Sequence, residues 1–153
     1  MRTLALAVAT VGGIGRAPVA SGTFGSLAAV PLLPLLARLR AESPAGYTLV
    51  LAALVVVAVW SAGLAEEILG GHDHSRIVID EVAGLVMAGI FLPGTWLATA
   101  LGFFLFRLFD ILKPFPAGLI DRRMTGGLGV VGDDLVAGVY AGLLARLVLH
   151  LVR

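Results

Sequence analysis

Apolar runs with carboxylates inside them are the feature that most restricts how this chain can fold. The runs cover residues 27–39, 47–65, 77–92, 96–112 and 135–152. A helix needs about 20 apolar residues to cross the hydrocarbon core of a bilayer, and only residues 47–65 approach that length without a charge. With 59% hydrophobic and 14% charged residues and a mean hydropathy of +1.01, the chain is far more apolar than ordinary soluble domains. We therefore predict an all-α, multi-helix, membrane-embedded bundle.

Proline and glycine divide the runs, so the predicted helices are short and interrupted. Pro31 and Pro34 fall inside the first run and predict either a kinked helix or a short, shallow one. The breakers between runs lie at residues 43–46, 70–71, 93–94, 114–116 and 126–127. At 153 residues, we expect a single domain over residues 1–153.

Charge and cysteine content exclude several classes of function. There is no cysteine, which rules out thiolate metal sites and cysteine-based phosphatase chemistry. The net charge of +1 and the absence of a basic run argue against a nucleic-acid partner. The N-terminal apolar stretch resembles a signal peptide, but we reject that interpretation because the stretch leads into a glycine-rich segment.

Alternating helix directions would bring the polar connections to one side of the membrane. Those connections are the N-terminal glycine-rich stretch and residues 66–81 and 113–134. Basic residues are more numerous on that side than on the opposite one, which the positive-inside rule assigns to the cytoplasm. We expect a multi-pass protein of a bacterial plasma membrane whose site faces the cytoplasm. The basic residues counted on that side are Arg2, Arg16, Arg76, Lys113, Arg122 and Arg123.

A glycine-rich segment, residues 21–26 (SGTFGS), precedes the first apolar run. Gly25 and its neighbours would let backbone amides approach an anion, and the hydroxyls of Thr23 and Ser26 could bind phosphate oxygens. The alternative is a flexible connector that ends in an ordinary Ser26 N-cap.

A second polar segment, residues 72–81 (HDHSRIVIDE), begins the third run. Asp73, Asp80 and Glu81 are candidate metal ligands, with Asp73 and Asp80 on one face if the segment is helical. The alternative is acidic capping of a helix first turn. His72 and His74 are more typical of solvated side chains than of ligands.

Two further segments bring charge into the fourth and fifth runs. Arg107, Asp110 and Lys113 are spaced three apart and can cluster on a helix; the alternative is a self-contained ion-pair ladder. Residues 126–134 predict a flexible loop that delivers Asp133 and Asp134 to a helix, and N-capping is again the alternative. Ionisable residues within a membrane are costly and are functional by default.

Carboxylates on three runs would repel one another at membrane depth unless a cation lay between them. These carboxylates are Asp80, Glu81, Asp110, Asp133 and Asp134. Oxygen ligands favour Mg²⁺, or else Mn²⁺, and Mg²⁺ is often shared with a substrate phosphate.

Four blocks, in this order, are similar to the phosphatidylglycerophosphatase A family: GTFGSLAAVPL, HDHSRIVIDEVAG, FRLFDILKPFP and GGLGVVGDDLVAG. The resemblance implies Mg²⁺-dependent hydrolysis of phosphatidylglycerophosphate, a membrane lipid, to phosphatidylglycerol and inorganic phosphate. On the matching positions we assign catalysis to Asp80, Glu81 and Asp134. We assign substrate binding to Thr23, Gly25, Ser26, Arg107 and Lys113. The expected metal ligands are Asp73, Asp80, Glu81, Asp110, Asp133 and Asp134.

Other interpretations stay open from the sequence. Intramembrane carboxylates also mark cation pathways, so a small ion-coupled transporter or channel subunit is the main alternative. A soluble or peripheral helical bundle with an apolar core is another. Attack by water and attack by an aspartate are equally compatible with the residues, and the sequence predicts no oligomeric state.

Overall fold

All regular secondary structure is helical in the residues that the computed structural model describes, 1–71 and 74–152, and no strand occurs among them. This confirms the predicted all-α fold. The helices, in chain order, are α1 (Arg2–Ala9), α2 (Ser21–Ala29), α3 (Leu32–Glu42), α4 (Pro44–Leu69), α5 (Ile79–Ala88), α6 (Trp96–Leu112), α7 (Ala117–Arg123) and α8 (Gly126–Leu151), with one 3₁₀ turn at Ile14–Arg16.

Three stretches are long and apolar enough to cross a membrane: Ser21–Glu42, which joins α2 and α3, then Pro44–Leu69 and Gly126–Leu151. The expectation that only residues 47–65 have this length is wrong. Helical structure continues through the proline-containing first run and through the glycines at the start of α8, so both stretches gain a further turn or more. These stretches support a membrane protein.

Local signals fix the ends of α4. The Ser43 hydroxyl accepts a hydrogen bond from the Gly46 amide at 3.1 Å, and Pro44 occupies the first helical position, where its missing N–H costs nothing. Gly70 ends the helix with a left-handed φ of +77°, a conformation that glycine adopts without strain.

Helix α5 lies at the centre of the bundle, and most of its residues are buried. Its most extensive contact is with α8. A Cβ atom at Gly138 would collide with the carbonyl of Gly84, and one at Gly142 would lie 2.6 Å from the Ala88 carbonyl oxygen. Small residues at these positions let the two backbones approach closely, as in membrane helix pairs.

The third run was expected to be helical over residues 77–92, but α5 ends at Ala88. Residues 89–92 form turns instead. Arg40 of α3 binds three carbonyls of this segment: Nη1 donates to Gly89 O at 2.6 Å and to Ile90 O, and Nη2 donates to Leu92 O at 2.7 Å. These carbonyls belong to the turn that follows α5, and a cation placed there also lies at the negative end of the helix dipole.

Replacing Arg40 with methionine should therefore destabilise the bundle. We expect Arg40→Met to lower the free energy of unfolding by about 2 kcal/mol, the order of magnitude for hydrogen bonds to a charged group. Thermal unfolding in detergent would measure it. Arg38→Met, at an exposed position of the same helix, is the matched control, and equal unfolding temperatures for the two variants would contradict the assigned role.

Candidate functional site

Acidic side chains from α5 and α8 meet at one end of the bundle. Asp80 and Glu81 lie in the first turn of α5, and Asp134 lies in α8. One carboxylate oxygen from each lies within 4.8 Å of the others. Asp80 and Asp134 are only 5% and 3% exposed. We call these three residues the acidic trio.

Two oxygens of the trio, Glu81 Oε2 and Asp134 Oδ2, are buried without a hydrogen-bond partner among residues 1–71 and 74–152. Such atoms are costly unless something neutralises or ligates them. Burial raises the pKa of the Glu81 carboxyl to about 6; a side-chain hydrogen bond with Asp80 opposes this rise, and the charge of Asp110 adds to it. A buried set of oxygen donors fits a hard cation, so the trio could bind a metal ion.

Arg107 of α6 lies beside the trio. Its Nη1 atom is 2.7 Å from Asp110 Oδ2 and 3.8 Å from Glu81 Oε1. The same nitrogen donates to the Ser26 hydroxyl oxygen at 3.5 Å. The expected clustering of Arg107 with Asp110 is present, and it reaches beyond α6 to α2 and α5.

Lys113 connects the site to α7. It ends α6 in a left-handed conformation, and its Nζ atom is 2.7 Å from Asp133 Oδ2 and 2.5 Å from Asp121 Oδ1. Asp133 therefore forms an ion pair with Lys113 and is not part of the acidic trio. Asp121 was missed by the sequence analysis, although it is the only acid between Asp110 and Asp133.

Residues 21–26 do not form a loop ahead of a helix, because α2 already begins at Ser21. The Ser26 N-cap alternative is wrong for the same reason. Ser26 is buried, and its hydroxyl donates to the Gly22 carbonyl at 2.9 Å. Thr23, partly buried, lies in the first turn of α2.

The glycines of α2 permit close packing. A Cβ atom at Gly22 would collide with the Glu81 carboxylate, and one at Gly25 would lie 2.7 Å from Val78 Cβ. Neither position tolerates a side chain without displacing its neighbour. The glycines thus bring α2 against α5 beside the trio.

The loop expected over residues 126–134 is also wrong, and so is the N-cap alternative for Asp133 and Asp134. Both acids lie inside α8, which starts at Gly126. A Cβ atom at Gly127 would collide with the Val59 carbonyl, so this glycine serves the contact between α8 and α4. Packing, rather than backbone flexibility, explains its presence.

The segment around residues 72–76 is described only in part. Asp73, an expected metal ligand, and His72 lie outside the described residues. His74 is described, and its Nδ1 atom accepts a hydrogen bond from the Arg76 amide at 3.2 Å, which is a local turn contact.

Comparison with known proteins identifies relatives along nearly the whole chain. The family model for Phosphatidylglycerophosphatase A matches residues 7–149. The Phosphatidylglycerophosphatase A of Escherichia coli (strain K12) is 39% identical over 134 residues, which cover 86% of this chain and 76% of that protein. The Phosphatidylglycerophosphatase A of Haemophilus influenzae is 42% identical over 74 residues, 48% of this chain and 45% of that protein.

A third relative carries a different name. A protein of Bacteroides thetaiotaomicron, provisionally named a phosphatidylinositol-3-phosphatase, is 36% identical over 149 residues, which cover 92% of this chain and 91% of its own length. No solved structure matches the chain significantly.

Proposed function

The chain belongs to the phosphatidylglycerophosphatase A family, and from this premise we infer that it is a membrane phosphatase that hydrolyses phosphatidylglycerophosphate to phosphatidylglycerol and inorganic phosphate. The observation that carries the inference is the buried acidic trio beside Arg107, at one end of a bundle of apolar helices. A lipid phosphate reaches such a site from the membrane surface while its chains stay in an apolar environment.

We propose that Asp80, Glu81 and Asp134 hold Mg²⁺, for which Mn²⁺ can substitute. The donors are all oxygens, and two of them are buried and unpaired within the described part of the chain, which favours a hard divalent ion. When bound, the ion would supply Lewis acidity toward the phosphoryl group. Asp73, which lies outside the described residues, is proposed as a further ligand.

Arg107 is proposed to bind the phosphoryl oxygens. Its Nε atom is buried and makes no hydrogen bond to the described residues, so it retains a donor for an anion. Asp110 and Ser26 hold the opposite edge of the guanidinium through Nη1. Fixed donors directed at a developing negative charge stabilise it without reorganising during the reaction.

Lys113 is proposed as the second cation for the phosphate, oriented by Asp121 and Asp133. On this basis Asp110 and Asp133 orient the two cations instead of ligating the metal, which revises the expected ligand set. Thr23 is proposed to contact the phosphate from α2. Gly25 contributes by close packing against Val78.

We further propose that the site faces the cytoplasm of a bacterial plasma membrane. The support is the excess of basic residues in the N-terminal stretch and in the connections at residues 66–81 and 113–134, which the positive-inside rule assigns to the cytoplasm. The ion-coupled transporter alternative gains no support from the fold, since the acids cluster at one end of the bundle with two cations instead of forming a pathway through it.

The test is phosphate release by detergent-purified protein in the presence of Mg²⁺. We expect release from phosphatidylglycerophosphate, and slower release from phosphatidylinositol 3-phosphate and phosphatidic acid. The second lipid is included because of the name of the Bacteroides relative. Faster release from phosphatidylinositol 3-phosphate would overturn the assigned substrate, and release from none of the three would overturn the phosphatase assignment.

A further inference from the structure

An apolar groove of about 470 Å³ opens on the outer surface between α6, the connection to α7, and α8. Its volume is in the range of small-molecule binding sites. Phe109 and Phe115 line one side, and Tyr140, Leu143, Leu144 and Leu147 of α8 line the other. Nothing in the catalytic assignment uses these residues.

The walls of the groove are held in place by specific contacts. The Tyr140 hydroxyl donates a hydrogen bond to the Phe115 carbonyl at 2.8 Å. The rings of Tyr140 and Phe109 meet edge to face with centroids 5.7 Å apart. Phe115 is nevertheless 78% exposed, so its ring forms the outer lip of the groove. Its backbone carbonyl is held by the hydrogen bond from Tyr140 of α8.

The groove begins close to the residues proposed to bind the phosphate, because its lining includes Pro114, which directly follows Lys113. Phe109 directly precedes Asp110, which binds Arg107. Along α8, Tyr140 follows Asp133 by seven residues, about two turns or roughly 10 Å. From Tyr140 the groove extends to Leu147, a further 10 Å or so away from the acids.

We propose that this groove binds one acyl chain of the lipid substrate while its phosphate lies between Arg107 and Lys113. The inference rests on the proposed function, because only a lipid phosphate would require both regions at once. The acyl chain exchanges one apolar environment for another, so its transfer from the bilayer contributes little hydrophobic free energy. The binding free energy comes instead from close packing against a preformed surface, which orients the headgroup toward the acidic trio.

The test compares two substrates with the same headgroup, dipalmitoyl and dihexanoyl phosphatidylglycerophosphate, in mixed micelles. Leu147→Trp places a bulky ring in the groove at a half-exposed position. We expect the preference for the long-chain substrate, measured as the ratio of the two KM values, to fall on the order of tenfold, the scale of discrimination by apolar pockets. Leu49→Trp, at an exposed position of α4, is the matched control and should keep the wild-type ratio.

Phe115→Ala removes the lip without touching the packed interior, and it provides a second variant if Leu147→Trp folds poorly. We expect this variant to lose part of the same preference. An unchanged KM ratio in both variants would overturn the acyl-chain assignment, and so would an equal loss of activity on both substrates. A shift of oligomeric state in Leu147→Trp, measured by light scattering, would also overturn it and assign the groove to a second copy of the chain.

The two substrates distinguish an incorrect acyl-chain assignment from an incorrect phosphatase assignment. Wild-type protein that releases phosphate from neither lipid contradicts the proposed function. Wild-type protein that hydrolyses both lipids with equal KM supports the phosphatase and contradicts the groove.

Discussion

Asp134→Asn is expected to reduce phosphate release from phosphatidylglycerophosphate by roughly a thousandfold, the scale seen when a group that stabilises transition-state charge is removed. The amide is nearly the same size as the carboxylate but carries no charge, so it weakens the cation site without opening a cavity. Asp80→Asn should have an effect of similar size because its carboxylate belongs to the same trio. Initial rates with saturating Mg²⁺ would measure both.

A stability measurement separates this loss from misfolding. Asp134 is almost completely buried among like charges, and removing an uncompensated buried charge is favourable. In EDTA, Asp134→Asn should therefore unfold at a temperature equal to or above that of the wild type. Glu67→Gln, the same kind of change at an exposed position of α4, should leave the rate unaltered. Wild-type rates in Asp134→Asn and Asp80→Asn would contradict the catalytic role of the trio.

The helix boundaries show which parts of the fold local sequence determines. The run at residues 96–112 coincides with α6, Trp96–Leu112, because Thr95 caps its start by accepting a bond from Ala98 N at 3.3 Å and a proline follows Lys113. The α4 boundaries follow equally from Ser43, Pro44 and Gly70. Where capping residues and helix breakers agree with the apolar run, the sequence is sufficient to predict the helix boundaries.

The glycines of two segments led to wrong predictions of loops. Gly22, Gly25 and Gly127 were interpreted as loop residues, but each lies in a helix and meets a neighbouring backbone or side chain. Intrinsic propensity disfavours glycine in a helix by about 1 kcal/mol, and close interhelical packing outweighs that cost here. Such packing depends on partners far away in the chain, so no local pattern could distinguish the two uses.

Only part of the site could be predicted from the sequence. The trio and the pair of Arg107 and Asp110 consist of charged residues inside or directly beside apolar runs, where they stand out because charge in such surroundings is costly. Asp121 did not stand out because it lies in a polar connection, where α7 was not anticipated. Its pairing with Lys113 depends on the turn between α6 and α7, and the groove depends on the same turn.

Removal of the metal is the second large effect that we expect. Exhaustive dialysis against EDTA should reduce phosphate release to the background rate, and excess Mg²⁺ should restore it. Mn²⁺ should also restore activity because it accepts similar oxygen ligands. Ca²⁺ should bind without supporting comparable rates, since its longer bonds and higher coordination number change the geometry around the phosphate.

The binding of the ion can be measured independently of activity. An ion that binds only the folded state stabilises it, by about 2.7 kcal/mol at a concentration one hundred times its Kd. Mg²⁺ should thus raise the unfolding temperature of the wild type, and the rise should shrink in Asp134→Asn because one of the three carboxylates is gone. Full activity after EDTA treatment, or an equal Mg²⁺-dependent rise in both proteins, would contradict metal binding by the trio. If the rise is confined to the wild type, the Asp134 carboxylate that weakens the metal-free fold also binds the ion, which explains why Glu81 Oε2 and Asp134 Oδ2 are buried without a hydrogen-bond partner in the described part of the chain.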